Sequence, residues 1–183
     1  MTVNLSLLVW IGFALVLAWA VGAYSRLNRL RDQMVRSRNS LLKYAGMYKS
    51  LCNQGPMLHA EVGGTDDDPV AQLLPALRMA VDALQSPMAA WERDTKSLNA
   101  DKVFGTALDA VQTSIEALAA APDDLAGARW PQEERNRWTE LAADVRIRRI
   151  RYNVQVGELR EAVEQMPATL MARLTGISAW GEV

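Results

Sequence analysis

The side chains best suited to chemistry crowd into one stretch, Arg146, Arg148, Arg149 and Arg151, followed at once by Tyr152 and Asn153. Guanidinium groups at this density suit either a phosphate contact or an ion-pair network that sets how helices meet. Helical spacing separates the two readings. At about 3.6 residues per turn the four arginines spread around the axis rather than form one basic stripe, and Glu158, Glu161 and Glu164 follow closely. The pattern speaks against nucleic acid and for a structural network. Arg148 falls on an apolar seam, where a charge needs a partner, and Asp144 one turn earlier is placed to supply it.

Other reactive groups are sparse. Asp66, Asp67 and Asp68 lack the alternating ligands and closing glutamate of a calcium loop, so they read as a helix cap. His59 lies in a polar loop and Cys52 at a helix end near Lys49, neither with a catalytic companion. One cysteine and one histidine leave no internal disulfide and no ordinary zinc site. There is no phosphate-cradling glycine loop and no nucleophile elbow. The expectation is a protein that is not an enzyme, with no cofactor, no metal and no evident small-molecule substrate. The minority reading, a hydrolase, would have to use residues 55–68.

The elements that position these residues begin with a membrane segment. Residues 1–25 carry no charged side chain, and Leu5–Ala23 is apolar but for Ser6, Gly12 and Gly22. As a helix of about 1.5 Å per residue this run measures about 28 Å, close to the hydrocarbon thickness of a bilayer. Tyr24, Arg26, Arg29 and Arg31 then suit the lipid interface. Residues 24–54 hold seven basic groups and one acidic, and 55–127 hold four basic and twelve acidic, within a net charge of −1. The basic side of a span stays in the cytoplasm, which predicts an inner-membrane protein with its N-terminus outside and residues 25–183 in the cytoplasm. Arg36, Arg38, Lys43 and Lys49 lie beyond lipid reach and are expected to pair within the protein. The rival is a cleaved secretory signal, for which Ala18-Trp19-Ala20 and Val21-Gly22-Ala23 are acceptable sites, although no positive n-region precedes them.

Beyond the anchor, residues 1–24, periodicity predicts helices throughout. Leu27, Leu30, Met34, Ser37, Leu41, Tyr44, Tyr48 and Leu51 form a heptad seam continuing the membrane helix as a stalk to about Cys52. A loop over 53–68 precedes a helix starting at Asp68-Pro69, with Val70, Leu73, Leu74, Leu77, Val81 and Leu84 apolar and Pro87 kinking or ending it. A short helical stretch from Trp91 to Leu98 follows, then a helix from Asn99–Asp101 to Ala121-Pro122. The last long helix, roughly Pro131 to Gln165, has Trp138, Leu141, Val145, Arg148, Tyr152, Gln155, Leu159, Ala162 and Met166 on its seam. A second apolar set, Ala143, Ile147, Ile150 and Val154, predicts burial of its middle from two sides. A short amphipathic helix is expected over 168–180. No segment alternates as a strand, so the fold expected is all-α, an antiparallel three- to four-helix bundle after the span.

Arg148, Arg149, Tyr152 and Asn153, continuing through Met166-Pro167, Leu170, Ala172 and Gly176-Ile177, resemble the Arg-Arg-x-x-Tyr-Asn and Phe-Pro elements of the LemA family of bacterial membrane proteins. Tyr24-Ser25-Arg26-Leu27 is similar to that family's Tyr-Asn-x-Leu after the membrane helix. The family's second Tyr-Asn is Leu159-Arg160 here, and Leu41–Ala45 replaces its arginine-rich run. The resemblance implies a membrane-anchored helical bundle without catalytic residues, and some members are implicated in organising membranes. The function expected is a scaffold or interaction module with protein partners or copies of itself. Single-pass signalling is the alternative, weakened by an outer segment of four residues before Leu5.

Overall fold

The computed structural model describes residues 5–54, 69–94, 97–121, 130–164 and 183. Among them the chain is all-helical: α1 is Leu5–Gln54, α2 is Pro69–Arg93, α3 is Leu98–Ala119 and α4 is Gln132–Glu164. Asn53 and Gln54, expected to open the loop 53–68, belong to the helix instead, while residues 55–68 with His59 and Asp66, Asp67 and Asp68, the expected C-terminal helix 168–180, and Pro167, Leu170, Ala172 and Gly176 lie outside the described residues.

α1 runs for 50 residues, because no proline interrupts it and its three glycines are isolated. Its opening is long and apolar enough to cross a membrane, and none of that apolar window is buried among the described residues. Every residue from Leu7 to Trp19 is exposed, Trp10 at 69 % and Val21 at 67 % farther on, and Tyr24, Arg26, Arg29 and Arg31 are exposed too. Burial begins abruptly at Leu27, which is 1 % exposed. From there Met34, Ser37, Arg38, Leu41, Ala45, Tyr48 and Cys52 turn inward. The expected Tyr44 and Leu51 are only half-buried, since α1 faces both α4 and α2 and its buried stripe turns toward the space between them.

Of the two expectations at Pro87, a kink or a helix end, α2 corrects the end. The helix passes through both Pro75 and Pro87 and carries Trp91 in its last turn. An interior proline costs about 3 kcal/mol, whereas truncating a buried tryptophan costs about 3–5 kcal/mol. Extending the helix to bury Trp91, 1 % exposed, therefore outweighs the lost hydrogen bond. α3 begins at a proper cap, the Ser97 hydroxyl accepting from the Ala100 amide at 3.3 Å.

α1 lies along α4 and α2 along α3, with α1–α2 and α3–α4 in shorter contact. The core between the two pairs is filled by Trp91, Trp130, Trp138, Tyr48, Tyr152 and Phe104 with Leu27, Met34, Leu41, Leu77, Leu84 and Ile115. Burial of the middle of α4 from two sides is not observed. Ile147, Ile150 and Val154 are each more than half exposed, because its neighbours cover only the Trp138, Val145, Tyr152, Val156 and Leu159 face. Replacing Trp91 by alanine is expected to remove about 3–5 kcal/mol of stability, measured by denaturant unfolding followed by circular dichroism; a loss below about 1 kcal/mol would show that the core closes without it.

Candidate functional site

All four helices meet at the indole of Trp91. Arg38 of α1, 5 % exposed, donates from Nη2 to the Trp91 carbonyl, and its guanidinium carbon stands 4.6 Å from the indole centroid. The indole N–H donates to Oδ1 of Asp101, a residue of α3 that is 3 % exposed. Phe104 of α3 stacks on the same ring at 4.4 Å, and Tyr152 of α4 meets it edge-on at 5.4 Å. A buried cation and a buried carboxylate thus sit on opposite functions of one aromatic residue. Burial lowers the Arg38 pKa, opposed by Tyr152, Asp101 and Glu92, and burial raises that of the Tyr152 phenol.

The arginine cluster of α4 divides into separate tasks. Arg148 donates from Nη1 to Asp144 Oδ1 at 3.0 Å and to the Asp144 carbonyl at 3.1 Å, and its guanidinium lies 3.3 Å from the Tyr44 ring centroid. The expected one-turn pairing is present, joined by a cation–π contact with α1 that spacing did not indicate. Arg149 points the other way, gripping both carboxylate oxygens of Asp109 on α3. Its Nε donates at 2.7 Å to the backbone oxygen of Val183. Asn153, one turn on, donates from Nδ2 to that same oxygen at 2.8 Å and accepts the Val183 amide on Oδ1 at 3.0 Å. Gly105 on α3 makes room, since a Cβ there would stand 3.0 Å from the Val183 carbonyl carbon.

A cleft of about 450 Å³ opens between α3 and α4 beside this seat, lined by Leu108, Asp109, Gln112, Glu116, Val145 and Arg149 among others, with Tyr48. A smaller one of about 140 Å³ is framed by Arg36, Ser37, Ser40, Arg148 and Arg151 between α1 and α4. Lys49 pairs with Asp82, so the basic stretch of α1 does reach the acidic middle of the chain. Among the described residues no group of His, Cys, Asp or Glu could hold a metal ion. Cys52 is buried, and burial first, then Asp82, pushes its thiol pKa up, which disfavours a reactive thiolate.

Sequence reasoning singled out Arg148, Arg149, Tyr152 and Asn153, expected Arg38 to pair within the protein without naming its partner, and missed Trp91, Asp101, Gly105 and Val183. A glycine in the middle of the apolar pattern of α3 is the one local signal that could have pointed to the seat.

Arg38 and Asp101 are expected to behave as a unit. Arg38→Met or Asp101→Leu alone, each removing one buried charged contact of Trp91, should cost about 3–5 kcal/mol, and the double variant clearly less than the sum by denaturant titration. A second test concerns Glu134, 8 % exposed in the first turn of α4, whose two carboxylate oxygens have no hydrogen-bond partner. Burial raises its pKa, with Arg137 opposing. A carboxyl that binds its proton more tightly when folded favours the fold at low pH and loses that increment as pH rises through the folded-state value. Glu134→Met should therefore stabilise by about 1 kcal/mol at neutral pH, read as roughly 2–4 °C in melting temperature, with the gain fading in acid. No protein family, curated protein or solved structure matches this chain.

Proposed function

We propose that the chain is a LemA-like single-pass protein of the bacterial inner membrane, whose cytoplasmic bundle acts as a non-enzymatic scaffold for protein partners. One observation carries this reading: the run of exposed apolar side chains from Leu7 to Trp19 belongs to the same unbroken helix that builds the bundle from Leu27 onward. So much exposed apolar surface on one helix requires a nonpolar surrounding. Tyr24, Arg26, Arg29 and Arg31, exposed at the border, suit the headgroup layer, and the basic excess on the bundle side favours a cytoplasmic location. The non-enzymatic part rests on the α4 motif, whose Arg148, Arg149, Tyr152 and Asn153 are engaged in holding helices and backbone together.

The cleaved-signal reading has one observation in its favour. Leu27 begins the core, so cleavage after Ala20 or Ala23 would leave the bundle complete. Alkaline carbonate extraction of cells expressing a C-terminally tagged chain separates the two. Intact protein retained in the membrane pellet, and protected from external protease, is the expected result; a shortened product in the soluble periplasmic fraction would overturn the anchor and the orientation together. Partners recovered by gentle-detergent purification support the scaffold, and a lone monomer counts against it.

A further inference from the structure

Ser37 fills the polar position of the α1 seam, and it is only 7 % exposed. A hydroxyl held among apolar side chains costs stability unless something bonds to it. Among the described residues nothing does, and Ser37 instead lines the cavity of about 140 Å³ between α1 and α4 with Arg36, Ser40, Arg148 and Arg151. These five residues offer three guanidinium groups and two hydroxyls, and no carboxylate lines the cavity with them. Arg36 lacks the internal partner expected of it: among the described residues neither Arg36 nor Arg151 makes an ion pair or a side-chain hydrogen bond. Arg148 is engaged by Asp144 through Nη1 and lies over Tyr44, yet its Nε is buried without a hydrogen-bond partner. Two of the three positive charges therefore stay uncompensated.

We propose that this α1–α4 cavity is a phosphate-binding site, in which Arg36, Arg151 and the free edge of Arg148 hold a phosphate or phosphate-monoester group together with the hydroxyls of Ser37 and Ser40. Guanidinium forks match the oxygens of such a group, and like charges gathered around one small space repel until an anion joins them. The volume is well below the roughly 300 Å³ of an ordinary small-molecule cleft, so the cavity takes the charged group and leaves the rest of a ligand outside. It offers a single seat and no track for a polyanion, because Arg149 is committed to Asp109 and Arg146 lines the cleft on the other side of α4. A soluble phosphate compound and a lipid headgroup present the same group. Arg36 stands 11 residues beyond Ser25, about 16 Å along a straight helix, which favours the soluble source. That choice of source rests on the membrane reading, whereas the site itself is built from bundle helices alone.

The probe is inorganic phosphate, titrated by calorimetry against the full chain in uncharged detergent, with melting temperature followed in phosphate and in chloride of equal ionic strength. Saturable binding of one phosphate per chain is expected, with a melting temperature that rises in phosphate beyond chloride. Arg36→Gln or Arg151→Gln should weaken binding about ten-fold, the worth of one hydrogen bond to a charged group. Neither should lower the melting temperature in chloride, which a purely structural arginine would do. Ser37→Ala should weaken binding about three-fold with helicity retained. Lys43→Gln, which removes an exposed charge of α1 outside the cavity, should leave the affinity unchanged. In phosphatidylcholine vesicles the reconstituted chain should bind phosphate equally well with and without added phosphatidate. Absence of saturable binding, or equal weakening by Lys43→Gln and Arg36→Gln, would overturn the site, and competition by phosphatidate would overturn the soluble source. None of these results depends on the outcome of carbonate extraction, so the site and the anchor fail separately.

Discussion

The architecture depends on burying one tryptophan between a cation and a carboxylate. Trp91 presents its carbonyl and ring face to Arg38 and its indole N–H to Asp101, so each helix that contributes to the core has one angular and axial position in which the set is complete. An aromatic core alone tolerates sliding, since apolar contact is non-directional. Charged groups taken out of water do not, because a displaced partner leaves an uncompensated charge. Phe104 and Tyr152 then pack against the two remaining aspects of the ring, which ties α3 and α4 to the same point.

Around that point the bundle is uneven. The α1–α4 and α2–α3 pairs are long and closely packed, while the α3–α4 seam is short and is bridged by polar groups, Arg149 with Asp109 and Asn153 with the backbone of Val183. A seam held by hydrogen bonds opens at less cost than one held by interdigitated aromatics, since each net bond contributes only about 0.5–1.5 kcal/mol. α1 meanwhile carries both the exposed apolar run and Arg38, so the segment suited to lipid and the centre of the bundle are parts of one rigid rod.

How much was legible follows from the range of each interaction. Arg148 with Asp144 is an i,i+4 pair and could be read from spacing. Arg149 with Asp109 and Arg38 with Trp91 join residues 40 and 53 positions apart and leave no local mark. Pro87 carries a local signal for a kink or a helix end, and the end does not occur because the value of burying Trp91 is set by three other helices. Ile147, Ile150 and Val154 have the period of a buried face, yet each stays more than half exposed. Periodicity reports where a helix can be buried, and only the arrangement of helices decides where it is.

The amino-acid order alone determined an all-α chain with an uncharged apolar opening, its helix seams and approximate ends, because proline, glycine, capping residues and 3-4 spacing act within a turn or two of the backbone. Tertiary structure alone decided which arginine enters the core, that α2 runs on through its second proline, and that Asn153, Arg149 and Gly105 converge on the backbone of Val183. Those outcomes depend on side chains brought within a few ångströms by packing from distant parts of the chain, and on desolvation that exists only once the helices have closed around them.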